Sequence, residues 1–142
     1  VPPIILRMLT KKLKYTYPVN SVNMNESDII QKNFKEYFDI AEYSFKNRKF
    51  NAAVTLYYKA LVELCDLVLF KKTGKIGANH TERFKLLEQF IPSLYKIASK
   101  LFNFYRDSYN KEIPETIAGL IKENVENAKN EYFRDKKLDK KE

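Results

Sequence analysis

From Glu26 to about Arg48 the apolar residues Ile30, Phe34, Tyr37, Ala41 and Phe45 recur at steps of four, three, four and four, which places them on one face of a helix. Asn25 or Ser27 supplies a side-chain oxygen to cap the first turn. A second segment, about Asn51 to Lys72, carries Ala53, Leu56, Tyr57, Ala60, Leu61, Leu64, Leu67 and Val68 and fills most remaining positions with further apolar residues. A helix apolar on most sides needs neighbours on most sides, so this one is expected at the centre. Lys71 and Lys72 suit its carboxyl end, and Gly74 and Gly77 open the loop that follows.

A third segment starts near Thr81, where Asn79 and Glu82 have the spacing of a capping pair, and presents Phe84, Leu87 and Phe90. Pro92 either kinks this helix or begins the next, which runs through Leu94, Ile97, Leu101, Phe102 and Tyr105 to about Asn110. Pro114 fits the first turn of a fifth helix carrying Ile117, Ile121, Val125, Ala128 and Tyr132, with Gly119 as a point of close approach between backbones. The pattern predicts an all-α, antiparallel bundle of four to five helices over residues 26–135. Residues 136–142 form a charged tail expected to fray. The first 25 residues obey another rule: Leu13, Tyr15, Tyr17 and Val19 alternate with Lys14, Thr16 and Pro18, the period-two pattern of a short extended arm.

A chain of 142 residues with 44% apolar positions has the length of one domain and enough apolar side chain to build a core. One Cys and one His exclude an internal disulfide and a zinc site of Cys and His ligands, and no metal or cofactor is expected. The longest uncharged apolar stretch, Leu67 to Phe70, is far too short to span a bilayer, so no membrane partner is expected. With no export signal in evidence, the expected address is cytoplasmic. The formal charge of +8 is concentrated in the arm, where Arg7, Lys11, Lys12 and Lys14 stand without an acid. Such an arm raises affinity for RNA or another polyanion through counterion release without reading sequence, and serves equally as a solvated segment.

The run from Asn47 to Ala53, between Ala41 and the Tyr57-Tyr58-Lys59-Ala60 stretch, looks like the turn of a helical hairpin whose alanines let two helices approach closely. A tetratricopeptide hairpin is built this way, but a solenoid needs at least three units and no second copy occurs.

A larger similarity covers residues 26–135. It comprises an amphipathic helix, the hairpin turn leading into Tyr57-Tyr58-Lys59-Ala60, a loop ending in Asn79-His80, a helix, the stretch Leu101 to Tyr109 containing Phe104-Tyr105-Arg106-Asp107, and a last long helix. This order resembles the HEPN family of helical bundles, found in prokaryotic toxin systems and beside minimal nucleotidyltransferases. Active members carry Arg, four to six variable residues and then His, and cut RNA without metal in a composite site made by two chains. The resemblance implies that Arg106 and Asp107 open that motif. Its closing histidine falls where this chain has Lys111, Glu112 and Ile113.

Cleaving RNA through its 2′-hydroxyl needs a group that accepts and donates protons near neutral pH, as imidazole does. Lys111, ordinarily titrating at about 10.4, would need a large downward shift to replace it. The modifiable tyrosine of the family has no counterpart either, because Tyr109 is out of register. Arg106 shares a helix face with Asn103 and Asn110, beside the apolar stripe ending in Tyr105 and Tyr109. There it either holds a phosphate in a cleft between two chains, with Asp107, Asn103, Asn110 and Tyr109 around it, or pairs with a carboxylate such as Glu112 or a second copy's Asp107 and fixes a dimer. His80 has no titratable neighbour in sequence and reads as a helix-start residue, able to act only if folding brings it near Arg106. Cys65, within the most apolar helix, is expected to be inert, and the off-stripe rings of Tyr43 and Tyr58 to be exposed.

The expected function is thus a HEPN-like homodimeric binding module: a catalytically degenerate relative, or the partner of a minimal nucleotidyltransferase in a toxin–antitoxin-type system, with RNA as a candidate ligand. The alternatives are metal-independent RNA cleavage by Arg106 with Lys111 or His80, and a tetratricopeptide-like adaptor.

Overall fold

The computed structural model describes residues 25–134; the arm expected ahead of Asn25 and the tail of residues 136–142 lie outside them. The described residues form five helices and no strand: α1 (Glu26–Lys46), α2 (Phe50–Thr73), α3 (His80–Phe90), α4 (Pro92–Asp107) and α5 (Glu115–Arg134). This is the all-α bundle that the periodicity predicts.

Asn25 caps α1, its side-chain oxygen accepting from the Asp28 N–H at 2.9 Å. Ile30, Phe34, Phe38, Ala41 and Ser44 face the interior, so Phe38 takes the deep position that the spacing gave to Tyr37. Arg48, at φ 60, turns the chain back into α2. Ala41, Ala53 and Ala60 are fully buried where α1 and α2 pack, as the small residues of the hairpin require. α2 touches all four other helices and is the central rod. Its Leu61, Leu64, Leu69, Val54 and Cys65 are buried completely, and burying each aliphatic side chain of this size is worth about 1.5–3 kcal/mol.

Gly74 ends α2 in the left-handed region at φ 74, its N–H donating to the Phe70 carbonyl. At Pro92 the chain breaks rather than kinks. Ile91 takes the non-helical angles φ −141, ψ 71, donates its N–H to the Leu87 carbonyl, and leaves Pro92 to open α4, where its missing N–H costs nothing. Asn51 joins the two ends of the α4–α5 connection. Its amide nitrogen donates to the carbonyls of Ser108 (2.9 Å) and Lys111 (2.6 Å), and its oxygen accepts from the Ile113 N–H (2.9 Å).

Two expectations are corrected. Gly119 is not a close-packing point, because a methyl group built there meets no atom within 4 Å; that role belongs to Gly77, where it would lie 2.8 Å from the backbone of Arg83. Tyr58 is not an exposed ring: it is 1% exposed, donates its hydroxyl proton to the Ala98 carbonyl at 2.7 Å and stacks on Tyr105. Its off-stripe position is buried because α2 is enclosed on several sides. Tyr43 is exposed as expected. Among the described residues, no helix is long and apolar enough to cross a membrane.

Candidate functional site

Lys59, Val62, Glu63 and Asp66 stand at positions i, i+3, i+4 and i+7 of α2, so they share one face, the one turned toward the start of α3. The first turn of α3 is fixed by Asn79, whose side-chain oxygen accepts from the Glu82 N–H at 2.9 Å. That cap, together with the tight approach of Gly77, sets Arg83 against Asp66. Arg83 Nε donates to Asp66 Oδ1 at 2.8 Å and Nη2 to Oδ2 at 3.1 Å, with both side chains about nine-tenths buried. Burial raises the Asp66 carboxyl above its ordinary range against the pull of the Arg83 guanidinium.

The third guanidinium nitrogen, Arg83 Nη1, lies 3.2 Å from His80 Nδ1. Arginine has only donors, so Nδ1 must accept, and the neutral imidazole carries its proton on Nε2. Burial lowers the His80 pKa below 6.5, helped by the positive charges of Arg83 and Lys59 and opposed by Asp66. The ring sits among Phe102 (centroids 5.2 Å apart), Tyr105 (6.0 Å) and Phe84 (6.3 Å). His80 therefore has a charged neighbour, the permanently protonated guanidinium three residues on, which its sequence surroundings did not single out.

Around this pair opens a cleft of about 300 Å³, lined by Tyr37 from α1, Lys59 and Glu63 from α2, Asn79 and His80 at the start of α3, and Tyr105 from α4. Lys59 Nζ lies 3.5 Å from the Tyr105 hydroxyl, and that hydroxyl shares a hydrogen bond of 2.8 Å with the hydroxyl of Tyr109. Glu63 is half-buried, and its carboxyl is pushed up to about 7 by burial and by the nearby Asp66 carboxylate, with Arg83 and Lys59 pulling the other way. The cleft thus holds an acid displaced upward, to about 7, and an imidazole displaced downward from its ordinary value.

Arg106 lies on the outside of α4, with its guanidinium carbon 5.8 Å from the centre of the Phe102 ring. The centre of the same ring lies 5.2 Å from that of His80, so the fold does bring the two expected residues to one aromatic side chain. Among the described residues no carboxylate pairs with Arg106. Asp107 instead binds Lys111 at 3.1 Å, and the Lys111 carbonyl is held by Asn51. Lys111 thus sits past the end of α4 with its ammonium paired back to Asp107 in the last turn of that helix. Asn103, Tyr109 and Asn110 are exposed with Arg106 along the outer side of α4 and the turn after it. Cys65 is fully buried, and burial pushes its thiol far up, which leaves it inert.

No family model, curated protein or solved structure matches the chain. The chemistry must stand on the residues themselves. Among the described ones, no group of three or more His, Cys, Asp or Glu side chains is placed to hold a metal ion. Sequence reasoning passed over Asp66, Arg83, Glu63 and Lys59. One signal was present: Asp66 is a lone acid inside the run Leu64-Cys65-Asp66-Leu67-Val68-Leu69, and a carboxylate in such surroundings demands a cationic partner.

Proposed function

We propose that this chain is a HEPN-like module that binds RNA as a homodimer without cutting it, serving as a catalytically degenerate partner of a minimal nucleotidyltransferase. The observation that carries the reading is Arg106. Its guanidinium is exposed, braced on Phe102 and paired with no carboxylate of the described residues, which leaves its planar fork of donors for a phosphate. Asn103, Asn110 and the 65%-exposed Tyr109 beside it offer hydrogen bonds and a ring face to a single strand. At the place of the motif's histidine stands a lysine bound to Asp107, with no imidazole to move the 2′-hydroxyl proton.

Fluorescence anisotropy with a labelled single-stranded RNA tests the binding, and light scattering tests the dimer. Binding that weakens with salt and falls about tenfold in Arg106→Ala is the expected result. A strict monomer, or affinity indifferent to Arg106, overturns the reading.

The contact of His80 and Arg106 with one ring favours a second reading, metal-independent cleavage. Labelled RNA that acquires 2′,3′-cyclic phosphate ends, with the activity lost in both His80→Ala and Arg106→Ala, would select it. RNA recovered intact selects binding.

A further inference from the structure

The cleft between α1, α2, the start of α3 and Tyr105 of α4 has walls chemically unlike those of a simple phosphate site. Its volume of about 300 Å³ lies at the small end of ligand-sized pockets, enough for one base or mononucleotide. Glu63 and Lys59 stand one helical turn apart on α2 and both line it, so an acceptor and a donor are presented side by side from a rigid element. Tyr37, half-buried on α1, contributes an aromatic wall.

We infer that this cleft takes a single guanine base, its N1–H and exocyclic amine donating to the Glu63 carboxylate, its O6 accepting from Lys59, and its ring lying against Tyr37. The inference rests on the RNA-binding reading for its source of ligand. Its chemistry is the order of donors and acceptors. Guanine is the base with two adjacent N–H donors followed by an acceptor on its pairing edge, and an ionised carboxylate beside an ammonium is the complement of that edge. Adenine, cytosine and uracil each set at least one acceptor against the carboxylate or one donor against the ammonium. Arg83, which also lines the cleft, commits three of its five N–H donors to Asp66 and His80 and is held in place by them. The His80 ring lines the cleft and keeps Nε2–H as a further donor, and Phe102 lies against both this imidazole and Arg106.

Calorimetry with the four nucleoside 5′-monophosphates tests this at pH 8, where Glu63, titrating at about 7, is mostly ionised. The guanosine nucleotide is expected to bind about tenfold or more tightly than the other three, the discrimination that a bidentate pair supplies. Glu63→Gln should abolish the preference, and Tyr37→Ala should weaken binding of all four alike. Because a variant can misfold, the unmodified protein gives a second readout: the guanosine nucleotide should move the NMR signals of Glu63, Tyr37 and His80 ahead of those of α5. Equal affinity for the four nucleotides, no binding of any, or shifts that avoid the cleft overturns the inference. If RNA still binds in an Arg106-dependent way while the nucleotides go undiscriminated, the guanine site fails and the RNA-binding module stands. Guanosine preference without RNA binding is the reverse case.

Discussion

Arg83 grips Asp66 with two parallel hydrogen bonds, Nε to Oδ1 at 2.8 Å and Nη2 to Oδ2 at 3.1 Å, across seventeen residues of sequence and under cover of α2 and α3. The pair fixes the first turn of α3 and, through the contact of Arg83 with Nδ1, the tautomer of His80. Burying two charges is unfavourable, and their mutual attraction with good geometry offsets much of that cost. Its removal is therefore asymmetric.

Replacing Arg83 by Met leaves an uncompensated carboxylate in the interior and should destabilise the protein by about 3–5 kcal/mol, read as a lower urea midpoint. The double variant Arg83→Met with Asp66→Leu should regain most of this loss. Equal destabilisation by the single and double variants would show that the pair contributes through shape and not through charge.

Gly77 and Gly119 should respond to alanine in opposite directions. At Gly77 the new methyl group collides with backbone atoms of Arg83, which the Asn79 cap and the Asp66 pair hold in place, so Gly77→Ala is expected to cost about 1–3 kcal/mol. Gly119 lies inside α5 with open space around its Cβ position, so Gly119→Ala should stabilise by about 0.5–1 kcal/mol through helix propensity. Thermal unfolding of the two variants separates them.

Glu63 and His80 should titrate on opposite sides of their ordinary values. The folded protein holds the Glu63 proton up to about 7, whereas the unfolded chain releases it near 4.5. The unfolded state thus binds fewer protons through this window, and the contribution of Glu63 to stability falls as pH rises from 4.5 to 7. Glu63→Gln should accordingly raise the melting temperature at pH 8, by roughly 2–5 °C, and leave it nearly unchanged at pH 4. For His80 the sign is reversed. Its folded pKa is depressed, so its contribution is present above 6.5 and is lost as pH falls through the lower folded value. An NMR titration of the single imidazole should give a midpoint below 6.5.

Asn51 holds the α4–α5 connection by three hydrogen bonds to Ser108, Lys111 and Ile113. Asn51→Ala should cost about 1–3 kcal/mol and speed hydrogen exchange at the Ile113 amide, which loses its acceptor. Exchange that accelerates equally throughout the bundle would instead indicate a global loss of stability.

The elements of the fold were legible because each is governed by rules of short range. The caps depend on an oxygen three residues from a free N–H: Asn79 lies where the spacing placed it, and of the two candidates for α1, Asn25 and Ser27, Asn25 is the cap. The central position of α2 followed from its apolar circumference alone. Pro92 was ambiguous because one ring is compatible with a kink and with a helix start; the angles at Ile91, set by its packing between α3 and α4, decided between them. Gly119 misled for a related reason, since a glycine in a helical pattern carries no mark of what stands opposite it.

The candidate site was legible only in parts. His80 and Arg106 could be singled out as the lone imidazole and the opening of a motif, but nothing local shows that both lie against Phe102. The helical segments, their caps and the expectation of an all-α bundle came from the sequence by itself, because hydrogen bonding and apolar periodicity act over a few residues. The partnership of Asp66 with Arg83, the cleft that joins Lys59, Glu63, Tyr37 and His80, and the displaced protonation of its acid and imidazole were decided by tertiary structure. Burial and charge proximity are properties of the space between helices, and that space exists only once α1, α2, α3 and α4 have packed together.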